Sequence, residues 1–289
     1  AGRSPIAIRT LRNFVRHKIE DRRWGDVVEV TEGLTLGTEL TCHRAYALLM
    51  TRETADATPL LNRVWTVGKS QIKACDPAFK TWYRESGPSD DVVWSRALKA
   101  ADARNSTLLR YLKRFASAEL RPSLDDLGEI YRRPDRVTRK TRGSLLRQRD
   151  IAHMGVKRLA KVNPQRALDA MQALSKRFEF DATQQTMMNS LIVRHSLFAK
   201  SAAPVDWVTS RLAELGDDEL TEIYLRSTIA EADWSSFRMG YEWLSVSRQT
   251  SDEWRYWRVM AAAPGEAERS EAELNALATC LLYTSDAAD

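Results

Sequence analysis

Glycine is scarce in this chain, 12 residues of 289, alongside 9 prolines, which puts glycine below its usual share. Alternating β-branched runs are almost absent, leaving little from which to build a sheet. No apolar run approaches the ~18–20 residues that a helix needs to cross a membrane, so no membrane span is expected. The four histidines, His17, His43, His153 and His195, show no paired spacing, and no Cys–His cluster has the pattern of a metal site. Neither a glycine-rich phosphate loop nor a serine nucleophile elbow is present. The sequence shows no chemistry of its own and implies no cofactor. Its three cysteines, Cys42, Cys75 and Cys280, cannot all pair with one another.

What is abundant forms helices: Leu, Ala and Arg dominate. The fold class expected is all-α. A length of 289 residues allows a sizeable core and lies at the upper end for one domain. The net charge of +5 fits a slightly basic surface, or a weak preference for anionic partners. The chain begins at Ala1 without a signal peptide, as a mature secreted protein or an internal fragment would.

Apolar residues recur at helical spacing from Ile6 to Ile19, through Ile8, Leu11, Phe14 and Val15. Further helices are expected over 24–30, 40–50 and 60–67. Asp90 is placed to cap a helix through Val93, Trp94 and Leu98, and Asn105 one through Leu108, Leu109 and Leu112. A hairpin lies between Gly143 and Phe178: Ala152, Val156, Leu159 and Ala160 align on its first helix, and Asn163-Pro164 starts the second. From Pro204 to Leu215, Val205, Val208 and Leu212 keep register; Gly216 ends that helix and Asp217-Asp218 begins the next. Thr250 and Glu253 have the spacing of a capping box before Trp254. Met187-Met188 reads as core filling.

Residues 65–82 are the most informative stretch, carrying Trp65, Gly68, Lys69, Ser70, Gln71, Cys75, Asp76, Pro77, Phe79 and Trp82. Gly68 has the look of a left-handed helix stop, Asp76 of an N-cap, with Pro77 at the first helical position. Phe79, Trp82 and Tyr83 then share one face, which makes a helix–turn–helix corner. Some fifteen short helices with tight turns suit a curved superhelix, a solenoid of stacked helical hairpins, over residues 1–279. The tetratricopeptide signature is missing, so the repeat is degenerate, with a period of roughly 30–40 residues. Residues 280–289 break register and look like translated sequencing-adapter sequence. A non-native or disordered tail is expected there, which makes Cys280 accidental.

Several segments resemble the N-terminal superhelical domain of the soluble lytic murein transglycosylases. The closest are WTVGKSQIKACDPAFKTW at 65–82 and DEWRYWRVMAA at 252–262; weaker ones are ELTCHRAYA at 39–47 and Arg12, Asn13, Phe14 followed by Trp24. Their order also agrees, over residues 5–278. The resemblance implies a periplasmic protein and a superhelix that forms part of a ring in the whole enzyme. Family members cleave the glycan strand of peptidoglycan between N-acetylmuramic acid and N-acetylglucosamine, giving a 1,6-anhydromuramyl product. One glutamate acts as acid and then base, in a separate lysozyme-like catalytic domain with Glu-Ser, Gly-Leu-Met-Gln and Ala-Tyr-Asn-Ala-Gly segments. Here the only Glu-Ser pair is Glu85-Ser86, followed by Gly87-Pro88-Ser89, and the other segments are missing. Glu85 is thus read as an exposed helix end, no catalytic residue is assigned, and the chain alone is expected to be inactive. The partners implied are peptidoglycan, through the full enzyme, and the catalytic domain in cis. Cys42 and Cys75 are either two buried thiols or a disulfide; both lie on segments matching cysteine-bearing segments of the family, and the periplasm implied by the resemblance favours the disulfide.

A basic run, Arg132, Arg133, Arg136, Arg139, Lys140, Arg142, Arg147 and Arg149 against the single acid Asp135, is a solvated face or a contact for an anionic polymer such as the carboxylates of peptidoglycan stem peptides. Nucleic acid is not expected, because aromatic interleaving and reading motifs are missing. Trp254 and Trp257 lie three apart, as a sugar-stacking platform or, more simply, a packed helix face. A second functional class stays open, a free-standing tetratricopeptide-like adaptor that binds proteins.

Overall fold

The computed structural model describes residues 4–199 and 202–262; they contain helices and turns, with no strand among the described residues. The tail at 280–289 lies outside them. The fold is all-α. Contacts divide the chain into two compact units, one of residues 1–133 and 139–154, the other of 134–138 and 155 onward.

The first unit holds α1 (Pro5–Glu20), α2 (Trp24–Val30), α3 (Thr38–Met50) and α4 (Thr54–Trp65). A 3-10 turn (Lys73–Cys75) leads into α5 (Asp76–Glu85), followed by α6 (Asp90–Asp102), α7 (Ser106–Leu112) and α8 (Arg121–Arg132). The division falls inside α9 (Leu145–Ala160), after Met154. The second unit contains a 3-10 turn (Pro134–Arg136), then α10 (Pro164–Ser175), α11 (Ala182–Ser196), α12 (Val205–Leu215) and α13 (Asp218–Ala230). It continues with α14 (Trp234–Tyr241), α15 (Val246–Gln249) and α16 (Asp252–Met260). Within each unit a helix packs mainly on helices one or two places along the chain. Thus α3 meets α1, α2, α4 and α5; α6 meets α7 and α8; α11 meets α10, α12 and α13. Such near-neighbour packing is how stacked hairpins bury faces that none could bury alone.

The corners explain how a glycine-poor chain turns so often. Arg22, Arg52, Arg104 and Ala232 all adopt left-handed backbone angles, with φ of 58°, 66°, 56° and 55°. At each, the left-handed N–H and the next one close back on the helix just ended: Arg22 to Ile19 and Arg23 to Lys18, Arg52 to Leu49 and Glu53 to Leu48. Arg104 and Asn105 bond to Ala101 and Ala100, and Ala232 and Asp233 to Ile229 and Thr228. This is the Schellman closure. The residue after the left-handed one is also the N-cap of the following helix: Arg23, Glu53, Asn105 and Asp233. Asn105 and Asp233 accept the N–H of Leu108 and Ser236 at 3.0 Å each. Gly216, at φ 58°, makes the expected left-handed stop before Asp217, whose carboxylate caps α13.

Several local expectations are corrected. Gly68 is not left-handed; it sits where a Cβ would lie 2.4 Å from the Lys99 carbonyl oxygen and 2.8 Å from the Ala103 Cβ, so its role is close approach to α6. Cys75, not Asp76, is the N-cap of α5, because the 3-10 turn runs straight into the helix and Asp76 is already helical at φ −58°, ψ −42°. Ser89 rather than Asp90 caps α6; the Asp90 carboxylate instead accepts the N–H and hydroxyl of Ser117. Helix α4 begins six residues earlier than expected, at Thr54 rather than Leu60, and keeps Pro59 inside it. Phe14 and Val205 are 40% and 71% exposed, and only Met188 of the methionine pair is buried. The capping box before Trp254 does not form: Thr250 donates to the Val246 and Ser247 carbonyls, and Glu253 pairs with Arg226 at 2.9 Å. A capping box that the sequence reading missed, Asp181 with Gln184, starts α11.

Trp65 centres the core of the first unit. Its ring meets Trp82 and Phe115 edge-on, at 5.9 and 5.6 Å between centroids, and its Nε1 donates to the Tyr83 hydroxyl at 2.6 Å. In the second unit Trp254 is buried beside Phe237, donates to Glu222 at 3.2 Å and carries Arg226 over its ring, so it packs helices rather than presenting a face to sugar. Because the Lys99 carbonyl is helical backbone and cannot swing aside, Gly68→Ala should lower stability by about 1–3 kcal/mol. Urea unfolding followed by circular dichroism checks this; an unchanged midpoint would contradict the close approach.

Candidate functional site

Two features of the first unit carry all the site residues expected from sequence except Arg136. At the corner, Cys42 on α3 and Cys75 on the 3-10 turn are both buried and joined by a disulfide, with their Cα atoms 4.9 Å apart. The bond ties α3 to the turn that launches α5, where Phe79 and Trp82 are buried. Glu85 ends α5 as an exposed residue, followed by Gly87 at φ 65°.

The basic run is split by its partners. Arg142 grips the Asp126 carboxylate with its guanidinium, Nε lying 3.1 and 3.2 Å from the two oxygens, while its own backbone N–H donates at 2.6 Å. That hydrogen-bonded carboxylate raises the pKa of Arg142. Arg139 pairs with Glu129 at 2.8 Å. Arg136 lies half-buried on the 3-10 turn of the second unit. Arg132, at the end of α8, its C-cap Arg133, and Lys140 are exposed and make no ion pair among the described residues. The first two open onto a cleft of about 930 Å³ between α7 and α8. Arg110 of α7, its C-cap Lys113 and Arg142 add to its positive wall, against Asp125 and Glu129. Lys113 is paired with Asp125, whereas Arg110 is unpaired among the described residues.

Arg132 and Arg133 thus have the free guanidinium groups that a carboxylate or phosphate ligand engages in bidentate fashion. Reading the sequence alone missed Arg110 and Lys113, which lie far upstream of the run. Their spacing of three, across the last turn and C-cap of α7, was the available signal.

Comparison with known proteins identifies the relatives. The soluble lytic murein transglycosylase of Salmonella typhimurium is 24% identical over 256 residues, covering 86% of this chain and 39% of that protein. The 70-kDa soluble lytic transglycosylase of Escherichia coli superposes with a TM-score of 0.71 at 20% identity, over 96% of this chain and 45% of that one. This chain is similar to the soluble lytic murein transglycosylases. A lytic transglycosylase from Pseudomonas aeruginosa superposes over 89% of this chain with a TM-score of 0.65 at 21% identity. The likeness at these identities establishes the fold, and the chain spans less than half the length of the relatives it matches. Residues 54–145 also match the family model described as Cucumovirus coat protein. That match covers under half of the chain, in a segment that contains no strand, and carries no functional argument. The tetratricopeptide-like adaptor reading draws no support from these similarities. No helix among the described residues is long and apolar enough to cross a membrane.

The disulfide closes a loop with a sequence separation of 33. In the chain-entropy description, opening it should cost about 3–4 kcal/mol of stability, less any strain relieved. Cys42→Ala/Cys75→Ala, compared with the parent by urea unfolding, should show that loss while far-ultraviolet circular dichroism keeps its helical signal. Collapse of the helical signal in the folded baseline would mean the corner is not held by packing.

Proposed function

We propose that this chain is the non-catalytic superhelical portion of a periplasmic soluble lytic murein transglycosylase. The full enzyme would cleave the bond between N-acetylmuramic acid and N-acetylglucosamine, through a catalytic domain joined to this one in cis. One observation carries the reading: similarity spans 86% of this chain yet only 39% of the curated relative. The one Glu-Ser pair in the sequence, Glu85-Ser86, lies at an exposed helix end and is not followed by the family's Gly-Leu-Met-Gln segment. A disulfide between buried cysteines supports an oxidising compartment such as the periplasm.

In this reading the superhelix positions glycan strands for cleavage elsewhere. The cations Arg132, Arg133, Arg139, Lys140 and Arg142 of the first unit would contact anionic groups of the polymer, with Arg132 and Arg133 foremost because they carry uncompensated charge at a cleft; Arg136, on the second unit, would be a contact of its own. Exposed charge of this kind adds attraction that salt screens. Co-sedimentation with purified peptidoglycan sacculi tests the proposal. The chain should bind in a salt-sensitive way and release no anhydromuropeptides. Arg132→Ala/Arg133→Ala should weaken binding by about tenfold, the loss of one or two charge-assisted contacts. Release of anhydromuropeptides by this chain alone would overturn the non-catalytic assignment, and unaltered binding by the double variant would overturn the role of the two arginines.

A further inference from the structure

A second cleft of the first unit, about 510 Å³, opens between α5, α6 and α7, a volume within the range of small-molecule sites. Arg96 of α6 forms part of its wall and is only 4% exposed. Its guanidinium lies 4.3 Å from the centre of the Trp65 ring, and Nη2 donates to the Lys69 carbonyl at 3.3 Å. The buried Nε has no hydrogen-bond partner, and no carboxylate pairs with Arg96 among the described residues. Burial holds its pKa down; the groups that act against this are the phenols of Tyr83 and Tyr111, not an acid. An arginine this buried is ordinarily paired, because an uncompensated charge away from water is destabilising.

The other charges lining the cleft are Asp76 and Lys80, both exposed on α5 and opposite in sign, so Arg96 leaves the wall net positive. The remaining surface suits a ring bearing hydroxyls. Phe79 and Tyr83 stack at 6.1 Å between centroids, and Tyr111, 41% exposed, adds a third aromatic face. Burial pushes the Tyr83 phenol up to about 12, so it stays a neutral hydroxyl. Ser70 and Thr107 contribute hydroxyls with no protein partner among the described residues. Aromatic faces beside hydroxyl donors, with a buried cation, match a sugar ring that carries a carboxylate.

We propose that this cleft binds an acidic monosaccharide, its carboxylate on Arg96 and its ring against Phe79, Tyr83 and Tyr111. The site does not depend on the scaffold reading, since it uses neither Arg132 nor Arg133 and needs no catalytic domain.

Titration calorimetry on the full chain tests it, with N-acetylmuramic acid and glucuronic acid as probes and N-acetylglucosamine and glucose as their uncharged counterparts. Both acids should bind saturably, and the uncharged sugars about tenfold more weakly or worse. Arg96→Met keeps length and apolar character, and should weaken acid binding by at least about tenfold. Because Arg96 also lies on the Trp65 ring and donates to the Lys69 carbonyl, thermal melting first establishes that the variant is folded. If that variant does not fold, Tyr111→Ala at the partly exposed wall serves instead and should weaken both acids alike. No saturable binding by either acid, equal binding of the uncharged sugars, or full affinity in the folded variant would each overturn the proposal. Sacculus binding through the α7–α8 cleft would stand or fall separately.

Discussion

Burial of Trp65 at the end of α4 is the interaction on which the first unit depends. The ring receives the edges of Trp82 and Phe115, hands its N–H to Tyr83 and carries the Arg96 guanidinium on its face. One side chain therefore joins α4, α5, α6 and the segment after α7. Each aromatic pairing is worth about 0.5–1.5 kcal/mol beyond the area it buries. The Cys42–Cys75 bond fastens α3 to the same corner from the other side, and the glycine at 68 lets the connector lie flat on α6. Both clefts draw on elements placed by this corner, Arg96 on α6 and Arg110 on α7. Architecture and any binding function meet there.

Much of the helix content was legible because the apolar spacing is strong and the caps at Asn105, Asn163 and Asp217 are chemically explicit. The corners were harder to read. A left-handed helix stop usually announces itself as glycine, and here arginine or alanine takes the position in four closures. The cost of that backbone region for a residue with a Cβ, about 1–2 kcal/mol, is offset by two closing hydrogen bonds and immediate entry into the next helix. Gly68 was misread for the converse reason, since a glycine needed for proximity looks the same in sequence as one needed for a turn. Pro59 hid the first turns of α4, because a proline inside a helix reads as its start.

The site was partly legible. The density of Arg and Lys at 131–149 was plain, but which charges are free was not, because the acids that neutralise Arg139 and Arg142 lie on α8, upstream of the run. Only the packing separates Arg132 and Arg133 from those held by Glu129 and Asp126. Arg96 gave no sign at all. It lies among helical apolar residues, and nothing in one dimension shows that a charge there has been buried without an acid.

The dependence of the first unit on Trp65 is tested most directly by native-state hydrogen exchange on Trp65→Leu. Replacing a fully buried indole removes ring contacts worth about 3–5 kcal/mol when truncated further to alanine, and leucine leaves a smaller loss of the same kind. Amides of α4, α5, α6 and α7 should lose protection together, while those of α10 to α14 keep theirs. Faster exchange confined to the last turn of α4, or spread equally through both units, would contradict the claim that this one side chain holds the corner.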